Sequence, residues 1–279
     1  MPNNQQEVIL GQLLTEKVQH LKSKVQTLFP NKKYHIGDLG DLMKAGMTDC
    51  IAVAIPEISR YIFIGINPDL HNSEFNTVLA EELFHHIQAS EQYPTIVGLN
   101  LTKMSDKFVV SESLFEELCK KLCSKIYDLD AHPRMLDYGI NLETIIAKDL
   151  MLVRNEIAES NSSEAKLAKL QEYKTTVFYF STYLLWWFDL CELGFSKYVK
   201  IWNNEIRPWF VQKLSKDTLD CWDELTEFVH NNPVTNSQSA ERVLRAICER
   251  LVCRTPIFAP IPISGMSIKS VLNPKKAQG

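Results

Sequence analysis

The sequence predicts an α+β protein that is mainly α, and two observations support this class. Two short segments at 50–55 and 61–66 are rich in β-branched and aromatic residues and lie close together, which predicts a β-hairpin. From about Ser73 onward, apolar residues recur mostly at the spacing of amphipathic helices. We therefore expect a small α+β unit at 1–135, a helical region at 136–253 and an extended, proline-containing tail at 254–279.

The individual elements follow from the same periodicities. Pro30 should end the first helix, and Pro133 should end the third, because proline lacks the N–H that a helix interior needs. The apolar-aromatic run Val177–Phe188 is far shorter than the roughly 20 residues of a membrane-spanning helix, so we expect a buried helix there. Helices are predicted over residues 5–28, 73–91, 111–129, 142–159, 164–193, 196–204, 218–230 and 239–253.

Composition and charge exclude several classes of protein. A hydrophobic fraction of 45% and a charged fraction of 23% are those of a globular protein with a core. The net charge of -4 gives no broad electrostatic reason to bind nucleic acid, and we expect neither a membrane partner nor a secretory signal. Seven cysteines without a CxxC pair indicate reduced thiols, and we expect a cytoplasmic protein.

Two acids and two histidines are concentrated in the predicted helix 73–91, at Glu81, Glu82, His85 and His86. On a helix, Glu81 and His85 are one turn apart, as are Glu82 and His86. The apolar residues of the segment fall on the other side. On spacing alone, this polar face is typical of either a metal site or a solvated surface on which carboxylates pair with histidines.

The order of elements around this helix resembles the ImmA/IrrE-like family of zincin metallopeptidases. A predicted hairpin and a strand ending Ile-Gly-Ile-Asn lead into Ala-Glu-Glu-Leu-Phe-His, over about 50–94. In that family, a hairpin and an Ile-x-Ile-Asn strand lead into a helix carrying Ala-His-Glu-Leu-x-His. The resemblance implies a zincin-like N-terminal unit, a Zn2+ cofactor, and hydrolysis of a peptide bond in a cytosolic regulatory protein such as a repressor.

The resemblance also assigns roles to individual residues. His85 takes the place of the second histidine ligand, and Glu82 that of the glutamate that activates the metal-bound water as general base. Glu81 stands where the family has its first histidine. A carboxylate also binds Zn2+, at about 2.0–2.2 Å, but its negative charge makes the metal a weaker Lewis acid. His86 diverges from His85 by about 100° on a helix and is expected to support the site or to be unrelated.

The third ligand in this family is an acid on a following helix. The candidates are Glu112, Glu116 and Glu117. We prefer Glu117 to Glu116 because it lies beside Leu114 and Leu118 in the predicted buried stripe. Ordinary solvated helix acids are the alternative interpretation.

A second acid-rich segment contains Asp128 and His132. These two residues are one turn apart if the helix persists as far as Pro133. The segment either faces the Glu81–His86 helix and supplies a ligand or an orienting partner, or is a helix terminus with local hydrogen bonds.

Two other functions stay open on the sequence. Glu82–His85 and Glu227–His230 are both Glu-x-x-His pairs, and with Glu117 and Glu156 they would form a di-iron carboxylate bundle of an oxidase. Alternatively, the chain is a catalytically inactive pseudo-peptidase that binds another protein. Aromatic residues of the helical half would then carry the interface, although core packing explains most stripes of this kind. The candidates are Tyr179, Tyr183, Trp186, Trp187, Trp202 and Trp209.

Overall fold

The computed structural model describes residues 7–38, 52–58, 61–66, 69–100, 112–147, 150–151, 154, 179–180, 183–184, 186–252 and 255–260. Helices predominate and the sheets are small, in agreement with the predicted α+β, mainly α class. The chain divides into two compact units. One consists of Met1–Tyr93, Ala131–Ile145 and Pro260–Gly279, and the other of Pro94–Asp130 and Ile146–Ala259.

The first unit begins with a short antiparallel hairpin of β1 (Val8–Ile9) and β2 (Gln12–Leu13). Its turn has positive φ at both central residues, 50° at Leu10 and 77° at Gly11, as a primed hairpin turn requires. The Thr15 side chain then accepts a hydrogen bond from a backbone N–H and begins α1 (Glu16–Leu28). The predicted helix over 5–28 is therefore wrong over residues 7–15, because the chain reverses at this turn.

A three-stranded mixed sheet follows α1. It consists of β3 (Lys33–Asp38), β4 (Ala52–Ile58) and β5 (Tyr61–Ile66), with β5 in the centre. The antiparallel pairing of β4 and β5 confirms the predicted hairpin. Strand β3 pairs with β5 in parallel and was not predicted.

Helix α2 (Asn72–Ser90) packs against α1, β4 and β5 and confirms the predicted helix to within one residue at each end. Its apolar stripe includes Phe75, Leu79 and Leu83, each of which is fully buried. This packing fixes which side of α2 faces the core and therefore which side carries Glu81 and His85.

Strand β6 (Pro94–Asn100), which was not predicted, and helix α3 (Glu112–Asp137) follow α2. The predicted end of α3 near Pro133 is wrong, since the helix continues through this proline to Asp137. Gly139 lies just after this helix end, and its φ of 76° is readily adopted by glycine. The N–H of Ile140 donates to the carbonyl of Met135 at 2.8 Å, which is the usual closure of such a helix end.

The second unit is mainly helical where it is described. The helical residues are 143–145 in the first unit and 146–147, 150–151, 154, 179–180, 183–184 and 186–187 in the second. Of the predicted helices 142–159 and 164–193, residues 148–149, 152–153, 155–159, 164–178, 181–182 and 185 lie outside the described residues. Wide helical turns at Phe188–Glu192, Trp202–Ile206 and Cys248–Val252 interrupt or extend the regular helices. The regular helices are α4 (Val199–Ile201), α5 (Arg207–Lys213), α6 (Lys216–Asn231) and α7 (Ser237–Ile247).

Strand β7 (Thr255–Pro260) pairs with β6, so the start of the predicted extended tail is a strand. The remainder of that tail lies outside the described residues. Among the helices that the structure describes, none is long and apolar enough to cross a membrane.

Aromatic side chains form the core of the second unit. The ring centroid of Tyr183 lies 5.0 Å from that of Trp202 and 5.2 Å from that of Trp222, and Phe210 lies 5.3 Å from Trp222. These four side chains and Trp186 are buried. Core packing therefore accounts for most of the aromatic residues that the sequence offered as a binding surface.

Candidate metal centre

Helix α2 presents its acids and histidines in two different environments. Glu81, Glu82 and His85 are half-buried, whereas His86 and Gln88 are buried. The difference follows from the helix period, because the apolar stripe of α2 faces α1 and the sheet. Glu81, Glu82 and His85 therefore have both partial shielding from water and access to it.

Helix α3 carries Asp128 and His132 one turn apart because it continues through Pro133. The Nε2 atom of His132 lies 3.7 Å from Oε1 of Glu81. Among the described residues, Glu81, Asp128 and His132 form the one group of three metal-ligating side chains whose ligand atoms all lie within 4.8 Å of one another.

The separation of Glu81 and His132 favours a shared cation over a direct hydrogen bond. Their 3.7 Å contact exceeds the roughly 2.7–3.2 Å of a good N–H···O bond. Two donors on one tetrahedral Zn2+, with bonds of about 2.0–2.1 Å, are about 3.3 Å apart. The spacing thus needs only a small contraction to hold a metal, and one imidazole with two carboxylates is a donor set that suits Zn2+.

Electrostatics also favour a cation at this cluster. The side chains of Asp128 and His132 are only 2% and 4% exposed, and that of Glu81 is 19% exposed. A buried carboxylate is costly unless a positive charge or hydrogen bonds compensate it. Lys125 supplies one such charge, since its Nζ donates to Oδ2 of Asp128 at 3.2 Å. A divalent cation would compensate Glu81 and Asp128 together.

The two histidines of α2 differ from His132. His85 contacts Gln88, with 3.0 Å between Nδ1 and Oε1. His86 lies edge-on to Phe29, with the ring centroids 6.5 Å apart. Burial, together with smaller effects of the nearby charges of His85 and Lys32, lowers the pKa of His86 from 6.5 to about 3. His86 is therefore a neutral core histidine.

The structure brings together only part of the predicted ligand set of Glu81, His85 and Glu117. Glu81 belongs to the cluster, and His85 follows it one turn later on α2. The backbone of Glu116 and Glu117 lies in α3, but their side chains lie outside the described residues, so the predicted third ligand stays a prediction. Asp128 and His132, which are grouped with Glu81, were alternative candidates in the sequence. Their spacing of one helical turn was the pattern that indicated them.

The residues of the proposed di-iron site have a different environment. Glu227 is exposed, and His230, whose side chain is 51% exposed, pairs with Glu192 at 3.0 Å. The carboxylate and histidine ligands of a di-iron bundle project into its interior. Glu156 lies outside the described residues. The exposure of Glu227 and His230 argues against this centre.

Comparison of the chain with protein-family models, with curated proteins and with solved structures gives no match.

Proposed function

We propose that this protein is a Zn2+-dependent, peptidase-like hydrolase that acts on a peptide bond in a cytosolic regulatory protein. The observation that carries the proposal is the cluster of Glu81, Asp128 and His132, whose ligand atoms lie within 4.8 Å of one another. Three protein ligands and one open position are the usual arrangement of a catalytic zinc. The hairpin of β4 and β5, followed by α2, supports the resemblance to zincin metallopeptidases.

Glu82 is the proposed general base. It is half-buried on α2 next to Glu81, so it is shielded yet accessible to substrate. A bound Zn2+ would lower the pKa of a water molecule and polarise the substrate carbonyl. In this scheme the Glu82 carboxylate accepts the proton of the attacking water and then passes it to the leaving amine. Because Glu81 and Asp128 both bring negative charge, we expect a weaker Lewis acid than in a site with two histidines.

The zinc site is tested by metal content and affinity of the purified protein, measured by mass spectrometry and equilibrium dialysis against zinc. We expect about one zinc per chain, with affinity at least 10-fold lower in Asp128→Asn and His132→Gln, since each removes a ligand. Asp130→Asn is the matched control, because Asp130 is also buried on α3 and lies outside the cluster. No zinc in the wild type, or an equal loss in Asp130→Asn, would overturn the site.

Hydrolysis is tested separately with the zinc-loaded protein and a peptide library read by mass spectrometry. Glu82→Gln should keep its zinc and lose about 10²–10⁴-fold in cleavage rate. If Glu82→Gln lost zinc as completely as His132→Gln, the role of Glu82 as general base would be wrong. Zinc binding without any cleavage would instead support the alternative of a pseudo-peptidase that acts by binding protein.

A further inference from the structure

The contact between His85 and Gln88 determines where the proton of the imidazole lies. Nδ1 of His85 is 3.0 Å from Oε1 of Gln88. An amide oxygen only accepts hydrogen bonds, so Nδ1 must be the donor and carry the hydrogen. In the neutral ring, Nε2 then has the lone pair that binds a metal or accepts a proton.

Gln88 is well placed to hold this arrangement. It is fully buried in α2, whereas His85 is half-buried. A buried side chain has few rotamers available, so its amide is a fixed acceptor for the more mobile imidazole. A hydrogen bond to the second ring nitrogen is the usual way in which proteins orient a metal-ligating histidine.

We propose that Gln88 is a positioning residue that keeps His85 in the Nδ1–H form, so that Nε2 serves as a further ligand of the metal held by Glu81. The proposal rests on the proposed function. Glu81 and His85 lie one turn apart on α2, where side chains share a face. The metal would thus take Glu81 and His85 from α2, and Asp128 and His132 from α3. The water of the proposed hydrolysis would then occupy a fifth position, a coordination number that catalytic zinc can reach.

The protonation of His85 is measured first, in zinc-free protein. Histidine labelled with ¹⁵N is observed by long-range ¹H–¹⁵N correlation at about pH 8, above the ordinary histidine pKa. The His85→Gln spectrum assigns the signals. We expect a protonated Nδ1 and an unprotonated Nε2 in the wild type, a shift toward the opposite form in Gln88→Leu, and the wild-type pattern in Gln88→Glu, which keeps an acceptor.

Zinc affinity is the second readout. Gln88→Leu should lower zinc affinity about 10–100-fold, and Gln88→Glu should restore it. Thr77→Val is the matched control for lost stability, since Thr77 is also buried in α2 and the carbonyls of Ser73 and Asn141 share its hydroxyl hydrogen. It should leave both the His85 signals and zinc affinity unchanged.

The outcomes separate the two proposals. If the wild type binds zinc, but Gln88→Leu binds it equally well or leaves the His85 protonation unchanged, the inference about Gln88 is wrong and the zinc site stands. A wild-type Nε2 that carries the proton also overturns it. If no zinc binds and the His85 signals still follow Gln88, the proposed function fails while the positioning of His85 by Gln88 is supported.

Discussion

Arg134 and Glu91 form a bidentate ion pair, with hydrogen bonds of 3.0 Å from Nη1 to Oε1 and 2.9 Å from Nη2 to Oε2. Glu91 directly follows α2, and Arg134 lies in the last turn of α3. The pair therefore ties the end of the helix that carries Glu81 to the end of the helix that carries His132. A fork-to-fork geometry of this kind restricts orientation more than a single contact does.

Breaking this pair should weaken both the fold and the site. The side chains of Arg134 and Glu91 are 28% and 40% exposed, so solvent screens them and we expect a coupling of only about 0.5–1 kcal/mol. The measurement is a double-mutant cycle of Arg134→Met and Glu91→Gln by urea unfolding. Zinc affinity should fall a few-fold in either variant. A coupling energy near zero would show that the pair does not hold α2 and α3 together.

Lys125 and a bound metal should compete for Asp128. Lys125→Met removes the charge that compensates Asp128, whose side chain is 2% exposed, so the zinc-free protein should lose about 1–2 kcal/mol of stability. The same change removes a positive charge near the metal, so zinc should bind more tightly. Urea unfolding and zinc titration measure the two opposite effects.

Lys216→Met is the control for this prediction. Lys216 pairs with Asp220 on the exposed face of α6, where such a pair contributes little to stability. Replacement of Lys216 should change neither the free energy of unfolding nor the zinc affinity measurably. Weaker zinc binding in Lys125→Met would contradict a metal at Asp128.

Strong periodicity explains which elements were predictable from the sequence. Strand β5 was predicted at its observed bounds and α2 to within one residue at each end. The strand is a run rich in β-branched residues, and the helix has a long stripe of apolar residues at helical spacing. Each pattern is strong enough that a single residue departing from it does not change the prediction. The start of α1 was predicted wrongly because Leu10, Leu13 and Leu14 are three and four residues apart, as on one face of a helix, although Leu10 lies in the turn and Leu13 in β2. The positive φ of Leu10 that makes this turn is uncommon for a residue other than glycine.

The candidate site was predictable only in part, for a different reason. The sequence places Glu81 and His85 on one helix face, and Asp128 and His132 on one turn of another helix. Which face of α3 approaches α2 depends on tertiary packing, which spacing within one helix does not determine. The end of α3 was a further obstacle, since Pro133 is a stronger local signal than the glycine at 139 that closes the helix.

His86 should make stability depend on pH. Its pKa is about 3 in the folded protein and about 6.5 when unfolded, so the folded state excludes a proton that the unfolded state binds. The contribution of neutral His86 to the free energy of unfolding is complete above pH 6.5. It is lost as the pH falls toward 3, at up to about 1.4 kcal/mol per pH unit. Urea unfolding of zinc-free protein across this range measures it.

Two variants isolate the contribution of His86. Below pH 6.5, the free energy of unfolding should fall less steeply with pH in His86→Leu than in the wild type. Leucine does not titrate, so this variant takes up about one proton fewer per chain when it unfolds. His71→Gln is the control, since it replaces an exposed histidine at the N-terminal end of the same helix. Parallel curves for the wild type and His86→Leu would contradict the lowered pKa.

Asn76 and Asn72 should differ in how much stability their substitution costs, although both are asparagines of α2. Asn76 is buried, its Oδ1 accepts from the N–H of Thr15 at 2.8 Å, and its Nδ2 donates to the carbonyl of Leu13 at 2.9 Å. Asn76→Ala leaves both backbone groups without these bonds and should cost about 2–3 kcal/mol. Oδ1 of Asn72 is buried and accepts no hydrogen bond from the described residues, so Asn72→Ala should cost under about 0.5 kcal/mol. Urea unfolding compares the two variants, and equal losses would show that Asn76 does not fasten the hairpin to α2.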